Sequence, residues 1–415
     1  MPHVPPLFIS DLQVVAAYAI LFGSYVVFAF GKFPGMKIDR PGAAVIGAVL
    51  MVVSRVLSPL EALRSIDFST LVLLFSMMLI VAYLHLAGFF DWITELVVTR
   101  LKPHHLLPTV IFTSGILSAF FVNDIICLVM VPFVLTATKR MGVRPLPHLL
   151  AVATASNIGS VSTITGNPQN MLIGSFSGIA YRDFFFHLGP VAAAGLFLNW
   201  LILSRLHGGA PNQVKEAEVP PPAVRVDRSR LIKPGIIIAG VLTGFIIGAP
   251  PALIAAFGAA MMLITRTRDP REVYDEVDWG LLVFFIGLFL IVGGADKAGL
   301  TGRLLWFAHS WNLQHPALFT LVTAMLSNIV SNVPAVMLLK SLVPGFSNPH
   351  TGWLILAMAS TLAGNLTITG SVANIIVVER ARHVARIGFR DYLKAGVPIT
   401  LATLLVGFLW LWWID

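Results

Sequence analysis

Long apolar runs recur from one end of the chain to the other, and they constrain the fold more than any other feature. Examples are Val14 to Phe30, Leu71 to Leu86 and Leu281 to Val292. With their flanking residues, such runs approach the roughly 20 residues that a helix needs to cross a hydrocarbon core. Only 12% of the residues are charged, whereas soluble domains carry about 25%. The sequence therefore predicts an all-α polytopic membrane protein and excludes a soluble fold.

An internal repeat divides these runs into two series. When the second half is moved back by about 204 to 211 positions, a set of landmarks coincides in chain order. The landmarks include Asp67 with Asp278, Ser118 and Asn123 with Ser327 and Asn332, Thr163-Ile164-Thr165-Gly166 with Thr367-Ile368-Thr369-Gly370, and Arg182-Asp183 with Arg390-Asp391. We predict a first repeat at 1–207, a polar linker at 208–231 and a second repeat at 232–415.

Each repeat is predicted to contain five transmembrane helices, a hairpin before the fourth helix, and an interruption within the fourth helix. The predicted spans are 12–31, 41–57, 69–88, 148–180 and 184–206, then 232–249, 251–265, 279–295, 352–379 and 394–413. The predicted hairpins are 106–138 and 316–343. The second arm of the first hairpin is too short to cross, so we expect both hairpins to be re-entrant.

An odd number of crossings per repeat means that the second repeat enters the membrane upside down relative to the first. Many secondary transporters share this inverted-repeat architecture. Cytoplasmic segments of membrane proteins are enriched in Lys and Arg. With both termini outside, 22 of the 28 Lys and Arg residues fall on the cytoplasmic side. We therefore predict a multi-pass protein of the cell (inner) membrane with both termini outside and the linker in the cytoplasm.

Polar residues within the predicted spans concentrate at the two hairpin tips and in the two interrupted helices. Residues such as Gly166-Asn167-Pro168 disfavour a continuous helix and leave backbone groups unpaired. At membrane depth such backbone is tolerated only around a protein-enclosed or watery cavity, where half-helix ends bind solutes. The alternative is that these side chains only join helices. The predicted substrate-binding residues are Asn123, Asn157, Thr163, Thr165, Asn167, Asn170, Asn332, Asn365, Thr367, Thr369 and Asn374.

Asp124 is the one carboxylate that the pattern places inside the membrane, and its repeat counterpart is Val333. Burial disfavours the charged form of an acid, so Asp124 is suited to take up and release a proton. The other interpretation is a hairpin-tip residue near water that only caps a helix. We expect one proton-coupling residue, Asp124.

Other chemistries find little support in the sequence. The single cysteine, Cys127, excludes a thiolate cluster, and most of the eleven histidines fall in predicted loops without metal-ligand spacing. The spans contain no Ser-His, paired-Asp or metal-helix constellation, so we expect no enzyme, no metal and no cofactor. The net charge of +8 is explained by membrane orientation and not by nucleic-acid binding. An ion channel remains an alternative, because an inverted repeat permits one.

Nearly the whole chain resembles the ion transporter superfamily, which includes ArsB-type arsenite/antimonite efflux pumps, NhaD-type sodium/proton antiporters and dicarboxylate/sodium symporters. Phe121-Val122-Asn123-Asp124 resembles the Asn-Asp hairpin signature of ArsB-type proteins and closely related anion permeases. Ser331-Asn332-Val333-Pro334 resembles the Asn-x-Pro of the second hairpin. Gly166-Asn167-Pro168-Gln169-Asn170 resembles the first broken helix. The Ser-Asn-Thr motif of the dicarboxylate symporters is altered to Ser156-Asn157-Ile158 and Gly364-Asn365-Leu366.

The resemblance implies a secondary active transporter that exports a small inorganic solute, with arsenite or antimonite in exchange for protons as the leading hypothesis. Such a solute is neutral and polar near pH 7, so a cavity of Asn, Ser and Thr without a buried Arg would suit it. The alternative is a sodium- or proton-coupled uptake permease for a carboxylate or oxyanion. The expected partners are the solute, protons or sodium, and the lipid bilayer. The sequence leaves a soluble ATPase partner or a homodimer undecided.

Overall fold

The computed structural model describes residues 10–31, 37–100, 102–207, 229–264 and 269–415. Within these ranges the chain folds into twenty α-helices and three short 3₁₀ turns, without a β-strand. The first ten helices are α1 (Asp11–Phe30), α2 (Arg40–Val53), α3 (Pro59–Ser65), α4 (Phe68–Leu86), α5 (Phe89–Arg100), α6 (Leu106–Phe120), α7 (Asn123–Met141), α8 (Pro145–Ser160), α9 (Pro168–Ser177) and α10 (Tyr181–His207). The second ten are α11 (Ser229–Ile246), α12 (Pro251–Leu263), α13 (Pro270–Asp275), α14 (Trp279–Lys297), α15 (Leu300–Ser310), α16 (Pro316–Val330), α17 (Asn332–Leu339), α18 (Pro349–Ala363), α19 (Val372–Ala381) and α20 (Phe389–Ile414).

The order of the first ten helices recurs in the second ten. Each series contains a hairpin (α6–α7 and α16–α17), a broken helix (α8–α9 and α18–α19) and a long closing helix (α10 and α20). Contacts between the series also come in corresponding pairs. The helix α2 packs against α14 as α12 packs against α4, and the two closing helices, α10 and α20, pack against each other. The two series are therefore related by an approximate twofold pattern of contacts. Their opposite orientation in a membrane stays a prediction.

Six helices of the described ranges are long and apolar enough to cross a membrane, namely α1, α4, α10, α11, α14 and α20. Each lies at a predicted span. Large apolar side chains such as Leu405 and Trp412 are exposed on the outside of the bundle, as expected of a surface that contacts lipid tails and the membrane boundary. The chain is a multi-pass, all-α membrane protein.

Aspartates begin two of these helices at corresponding positions of the repeat. Asp67 accepts a hydrogen bond from the backbone N–H of Thr70 at 3.0 Å and caps α4. Asp278 accepts from the N–H of Leu281 at 2.9 Å and caps α14. An N-cap carboxylate satisfies an otherwise unpaired N–H and interacts favourably with the helix dipole. Helix capping thus explains why the repeat has an aspartate at both corresponding positions, Asp67 and Asp278.

Several boundaries differ from the predicted ones. The helices α2 and α12 contain only 14 and 13 residues and end at Val53 and Leu263. The sequence pattern does not predict α5 and α15, since charged residues interrupt their apolar runs. The helix α11 already begins at Ser229, and residues 208–228 of the predicted linker lie outside the described residues.

Candidate functional site

Both hairpins are interrupted at the tip, and in each the second helix starts on an asparagine. In the first hairpin an extended Phe121 separates α6 from α7, which begins at Asn123. In the second, Ser331 joins α16 to α17, which begins at Asn332. Ser331 has a φ of 79°, a strained value for a residue other than glycine. The two tips are thus built alike, as the repeat predicts.

Buried asparagines connect the first hairpin tip to both broken helices. Asn123 Nδ2 donates to Asn157 Oδ1 at 3.0 Å. Asn157 Nδ2 in turn donates to Asn365 Oδ1 at 2.9 Å and to Asn374 Oδ1 at 3.1 Å. Asn157 lies in α8 of the first series and Asn365 follows α18 of the second, so their hydrogen bond lies where the two series meet. Four of the predicted binding residues therefore form one amide network.

In the first break, between α8 and α9, side-chain amides pair with the open backbone. Asn167 Oδ1 accepts from the N–H of Asn170 at 2.8 Å and so caps α9. Asn170 Nδ2 donates to the carbonyls of Ser160 and Thr163 at 3.0 and 2.9 Å. Unpaired carbonyls are costly away from water, so both asparagines stabilise the break.

The second break, between α18 and α19, is stabilised in a similar way. Asn374 Nδ2 donates to the carbonyls of Gly364 and Thr367 at 2.7 and 3.0 Å. Thr367 Oγ1 donates to Asn328 Oδ1 at 3.0 Å and lies 3.3 Å from Thr369 Oγ1. The hydroxyl of Thr367 therefore ties this break to the second hairpin.

Two predicted residues of the first break hold it against neighbouring elements. Thr163 Oγ1 donates to the carbonyl of Ala119 in the first hairpin. Thr165 Oγ1 lies 3.0 Å from the hydroxyl of Tyr181, at the start of α10. Both threonines are buried, and they position the break.

A cavity of about 370 Å³ lies beside the hairpin tips and the breaks. Four predicted residues line it, namely Asn123, Asp124, Asn332 and Thr369. The other eight predicted binding residues are not among its lining residues. Gln169 and Ser371, one from each break, also line the cavity. The sequence pattern marks the segments that contain them but does not single them out.

Arg40 changes the expected composition of this cavity. The charge count assigns Arg40 to the cytoplasmic boundary, and we expected neither a buried Arg nor a second carboxylate near Asp124. In the structure Arg40 is half-buried, and its Nε donates to the carbonyl of Phe28 at 2.9 Å. It lines the cavity together with Asp124 and Asp278. Asp124 therefore interacts favourably with Arg40 and unfavourably with Asp278.

The sequence contains no signal for this arrangement. Arg40 and Asp124 lie far apart along the chain, and only the packing of α2 against α14 brings the start of α2 to the hairpin tip. At the offset that aligns Gly47 with Gly258, Arg40 corresponds to Pro251. The repeat therefore gives no second basic residue that would mark the position.

Two buried amide oxygens accept no hydrogen bond from the part of the chain that the structure describes. They are Asn123 Oδ1 and Asn170 Oδ1. Asn123 is only 3% exposed, and an unpaired buried acceptor costs about 1–3 kcal/mol. Asn123 also lines the cavity, so a small movement of its side chain would present this unpaired oxygen to an O–H donor on a bound solute.

Two further residues near the site have packing roles. Lys340 Nζ lies 3.9 Å from the centroid of the Phe176 ring, a cation–π contact with α9. Cys127 is fully buried, and its Sγ lies 3.0 Å from Ser156 Oγ. Neither residue is among those that line the cavity.

Known proteins of similar sequence are consistent with this architecture. The model of the citrate transporter family (CitMHS) matches residues 25–363. A silicon efflux transporter of Oryza sativa subsp. japonica is 30% identical over 96% of this chain and 98% of its own length. A Dictyostelium discoideum protein named as an arsB transporter is 27% identical over 90% of this chain and 87% of its own.

Among solved structures, the fold is similar to that of the YdaH transporter of Alcanivorax borkumensis, a crystal structure described as having an unusual topology. The TM-score is 0.56, with 16% sequence identity and 97% of each chain covered. This similarity supports the helical architecture over nearly the whole chain. It carries no information about the solute.

Proposed function

The chain belongs to the citrate transporter family, and from this premise we propose that it is a proton-coupled exporter of a small neutral inorganic hydroxide, with arsenite and antimonite as the leading candidates. The observation that carries the proposal is that Asn123, whose Oδ1 accepts no hydrogen bond from the described residues, lines one cavity with Asp124. We place the protein in the cell membrane with both termini outside, as the distribution of Lys and Arg indicates.

A neutral hydroxide suits this lining because each of its O–H groups can donate and accept a hydrogen bond. Carboxylates accept but do not donate when ionised, and three of them line the cavity against one guanidinium: Asp39, Asp124 and Asp278 against Arg40. Such a lining disfavours a multiply charged anion, since like charges repel. A solute that supplies O–H donors is favoured.

The same arrangement accounts for exchange with protons. When Asp124 is ionised, it can accept an O–H group of the solute next to Asn123. When Asp124 is protonated, it loses part of its capacity to accept, and the solute is held less tightly. Proton and solute therefore compete for one position, which is the condition for obligatory exchange.

The names of two relatives support the direction and the class of solute. The Oryza sativa relative is named for the efflux of silicon, whose hydroxide, like that of trivalent arsenic, is uncharged near pH 7. The Dictyostelium discoideum relative is named for arsB. The first name favours export of a metalloid hydroxide, and the second agrees with the resemblance to ArsB-type pumps.

Everted membrane vesicles that contain the full chain test this function directly. With an imposed gradient, acid inside, we expect arsenite measured by mass spectrometry to accumulate above its concentration in the medium and to leak out after a protonophore is added. Silicic acid and citrate serve as comparison solutes. If no neutral hydroxide accumulates under the proton gradient, the proposal is wrong.

Arg40 favours a second candidate, a sodium- or proton-coupled permease for a carboxylate-bearing anion. A half-buried guanidinium in the cavity could pair with one carboxylate of the solute, because Arg binds carboxylates well. The description of the family as citrate transporters agrees with this candidate. Accumulation of citrate under a sodium or proton gradient, without accumulation of arsenite, would establish it.

The substitution Arg40→Gln separates the two candidates. For a neutral hydroxide, we expect the KM at the optimal pH to change little. The pH profile should change instead, because Asp124 loses its positively charged neighbour in the cavity. For a carboxylate, the KM should rise by about tenfold or more at every pH, since a charge-assisted hydrogen bond worth about 1.5–3 kcal/mol is lost.

The matched control is Arg64→Gln, which removes an exposed positive charge from α3, away from the cavity. We expect it to leave both the KM and the pH profile unchanged. An Arg40→Gln variant that behaves like this control would rule out a role for Arg40 in either candidate.

A further inference from the structure

A second polar cluster lies away from the cavity, where α10 of the first series meets α18 of the second. Asp183 and His187 stand one turn apart at the start of α10, and His350 stands at the start of α18. His350 Nε2 lies 2.7 Å from Asp183 Oδ2, and His187 Nδ1 lies 3.2 Å from Asp183 Oδ1. A ring nitrogen of each histidine and a carboxylate oxygen all lie within 4.8 Å of one another.

The three side chains are positioned by contacts of their own. The rings of His187 and His350 lie 5.0 Å apart in an edge-to-face arrangement. Trp410 Nε1 donates to the carbonyl of His187 at 2.8 Å, which joins α20 to this turn of α10. The backbone N–H of His350 donates to Asn348 Oδ1 at 3.2 Å. All three members of the cluster are half-buried, so an ion could reach them from solution.

We propose that Asp183, His187 and His350 form a binding site for a transition-metal dication of the Zn²⁺ type. Two imidazoles and one carboxylate are a donor set that Zn²⁺ takes with bonds of about 2.0–2.2 Å, and water fills the fourth position when three protein ligands are present. Tetrahedral bonds of this length place the ligand atoms about 3.3 Å apart. The observed spacings of 2.7 and 3.2 Å lie slightly below that value, so small side-chain movements would make room for an ion.

The site would join the two series, because its ligands come from α10 and α18. The helix α18 is the first half of the second broken helix, so a bound ion would fix that half against α10. From the sequence we expected no metal site, because Asp183 and His187 supply only two ligands at i, i+4 spacing. The third ligand, His350, is distant in the chain. Only the fold brings the third ligand to them.

The competing explanation is a plain ion pair between Asp183 and the histidines, which needs no metal. The repeat supplies a matched comparison. Asp391 corresponds to Asp183, but Ala395 stands where His187 would be expected. Substitution of Asp391 therefore removes an equivalent carboxylate without removing a candidate site.

The test uses the full-length protein in lipid nanodiscs, titrated with Co²⁺ as a spectroscopic probe and with Zn²⁺ in competition. We expect saturable binding of one Co²⁺ with the visible absorption bands of a tetrahedral centre, displaced by Zn²⁺. His187→Ala, His350→Ala and Asp183→Asn should each weaken binding by at least about tenfold, the lower range for lost supporting contacts. Asp391→Asn and His315→Ala, an exposed histidine elsewhere, should bind as the unchanged protein does.

The Tm, measured with and without Zn²⁺, separates loss of metal binding from loss of folding in variants of lower stability. Zn²⁺ should raise the Tm of the unchanged protein, because a ligand of the folded state stabilises it, and should not raise the Tm of a folded His350→Gln variant. Absence of saturable Co²⁺ and Zn²⁺ binding would overturn the proposal and leave the ion pair. Binding that survives all three ligand substitutions would overturn it as well. Since binding and melting are measured without transport, the outcome is independent of the proposed function.

Discussion

Asp124→Asn is expected to abolish proton-driven accumulation of the solute in everted vesicles and to leave downhill movement of the solute measurable. An amide is nearly the same size as a carboxyl group but cannot release a proton, so solute binding and proton binding no longer compete. The concentrations inside and outside the vesicles should then become equal, whatever pH gradient is imposed. Time courses of arsenite uptake, with and without the gradient, measure this directly.

The control for Asp124 is another aspartate of the same fold. Asp67 caps α4 and also accepts from Ser175 Oγ at 2.7 Å. Asn is as good an N-cap as Asp, so Asp67→Asn should retain gradient-driven accumulation. Loss of coupling in Asp278→Asn together with full coupling in Asp124→Asn would contradict the assignment, because it would identify another of the three carboxylates of the cavity as the proton carrier.

Gly159→Ala is expected to have the largest effect on folding. Gly159 lies in α8 against α6, and a Cβ atom there would meet the carbonyl oxygen of Gly115 at 2.0 Å and its carbonyl carbon at 2.5 Å. Both groups are backbone, so no side chain can move aside and the helices must separate. Overpacking of this kind costs about 3 kcal/mol. The separation would also disturb the hydrogen bond from Asn123 to Asn157, so transport should fall with stability.

The Tm in detergent and the yield of monodisperse protein measure this effect. Gly240→Ala in α11 is the neutral comparison, because nothing lies within 4 Å of a Cβ there. Gly115→Ala provides an intermediate case, since its Cβ would meet the end of the Leu196 side chain at 2.6 Å, which can rotate away. The Tm should be highest for Gly240→Ala, lower for Gly115→Ala and lowest for Gly159→Ala. Equal Tm values for Gly159→Ala and Gly240→Ala would contradict the close packing of α8 against α6.

Apolar periodicity and the repeat predicted most of the fold, because both depend on residues that lie close together in the chain. Each long helix needs an uninterrupted apolar stretch, and each break needs residues such as Gly166 and Pro168 that do not continue a helix. The sequence therefore located the hairpins and both breaks. It did not predict α5 and α15, because their charged residues hide short helices that lack a span-like composition.

For the site, the sequence indicated which segments meet but not which way each side chain points. Asn123, Asp124, Asn332 and Thr369 line the cavity, whereas Thr163 and Thr165 turn to the hairpin and to Tyr181. Arg40 was missed because a basic residue after an apolar run is normally a boundary residue. Its entry into the cavity depends on contacts between helices that are distant in the chain.

The hydrogen bond between Asn157 and Asn365 gives the two series one shared amide contact at their boundary. Asp124 is not shared in this way, because its repeat counterpart in the same cavity is Val333. In an assembly of two identical chains an acid at this position would occur twice, and two like charges would face each other. Joining both copies in one polypeptide removes this constraint, since one copy can change without the other. The molecule can thus join its two copies through buried amides and still hold its acid on one side only.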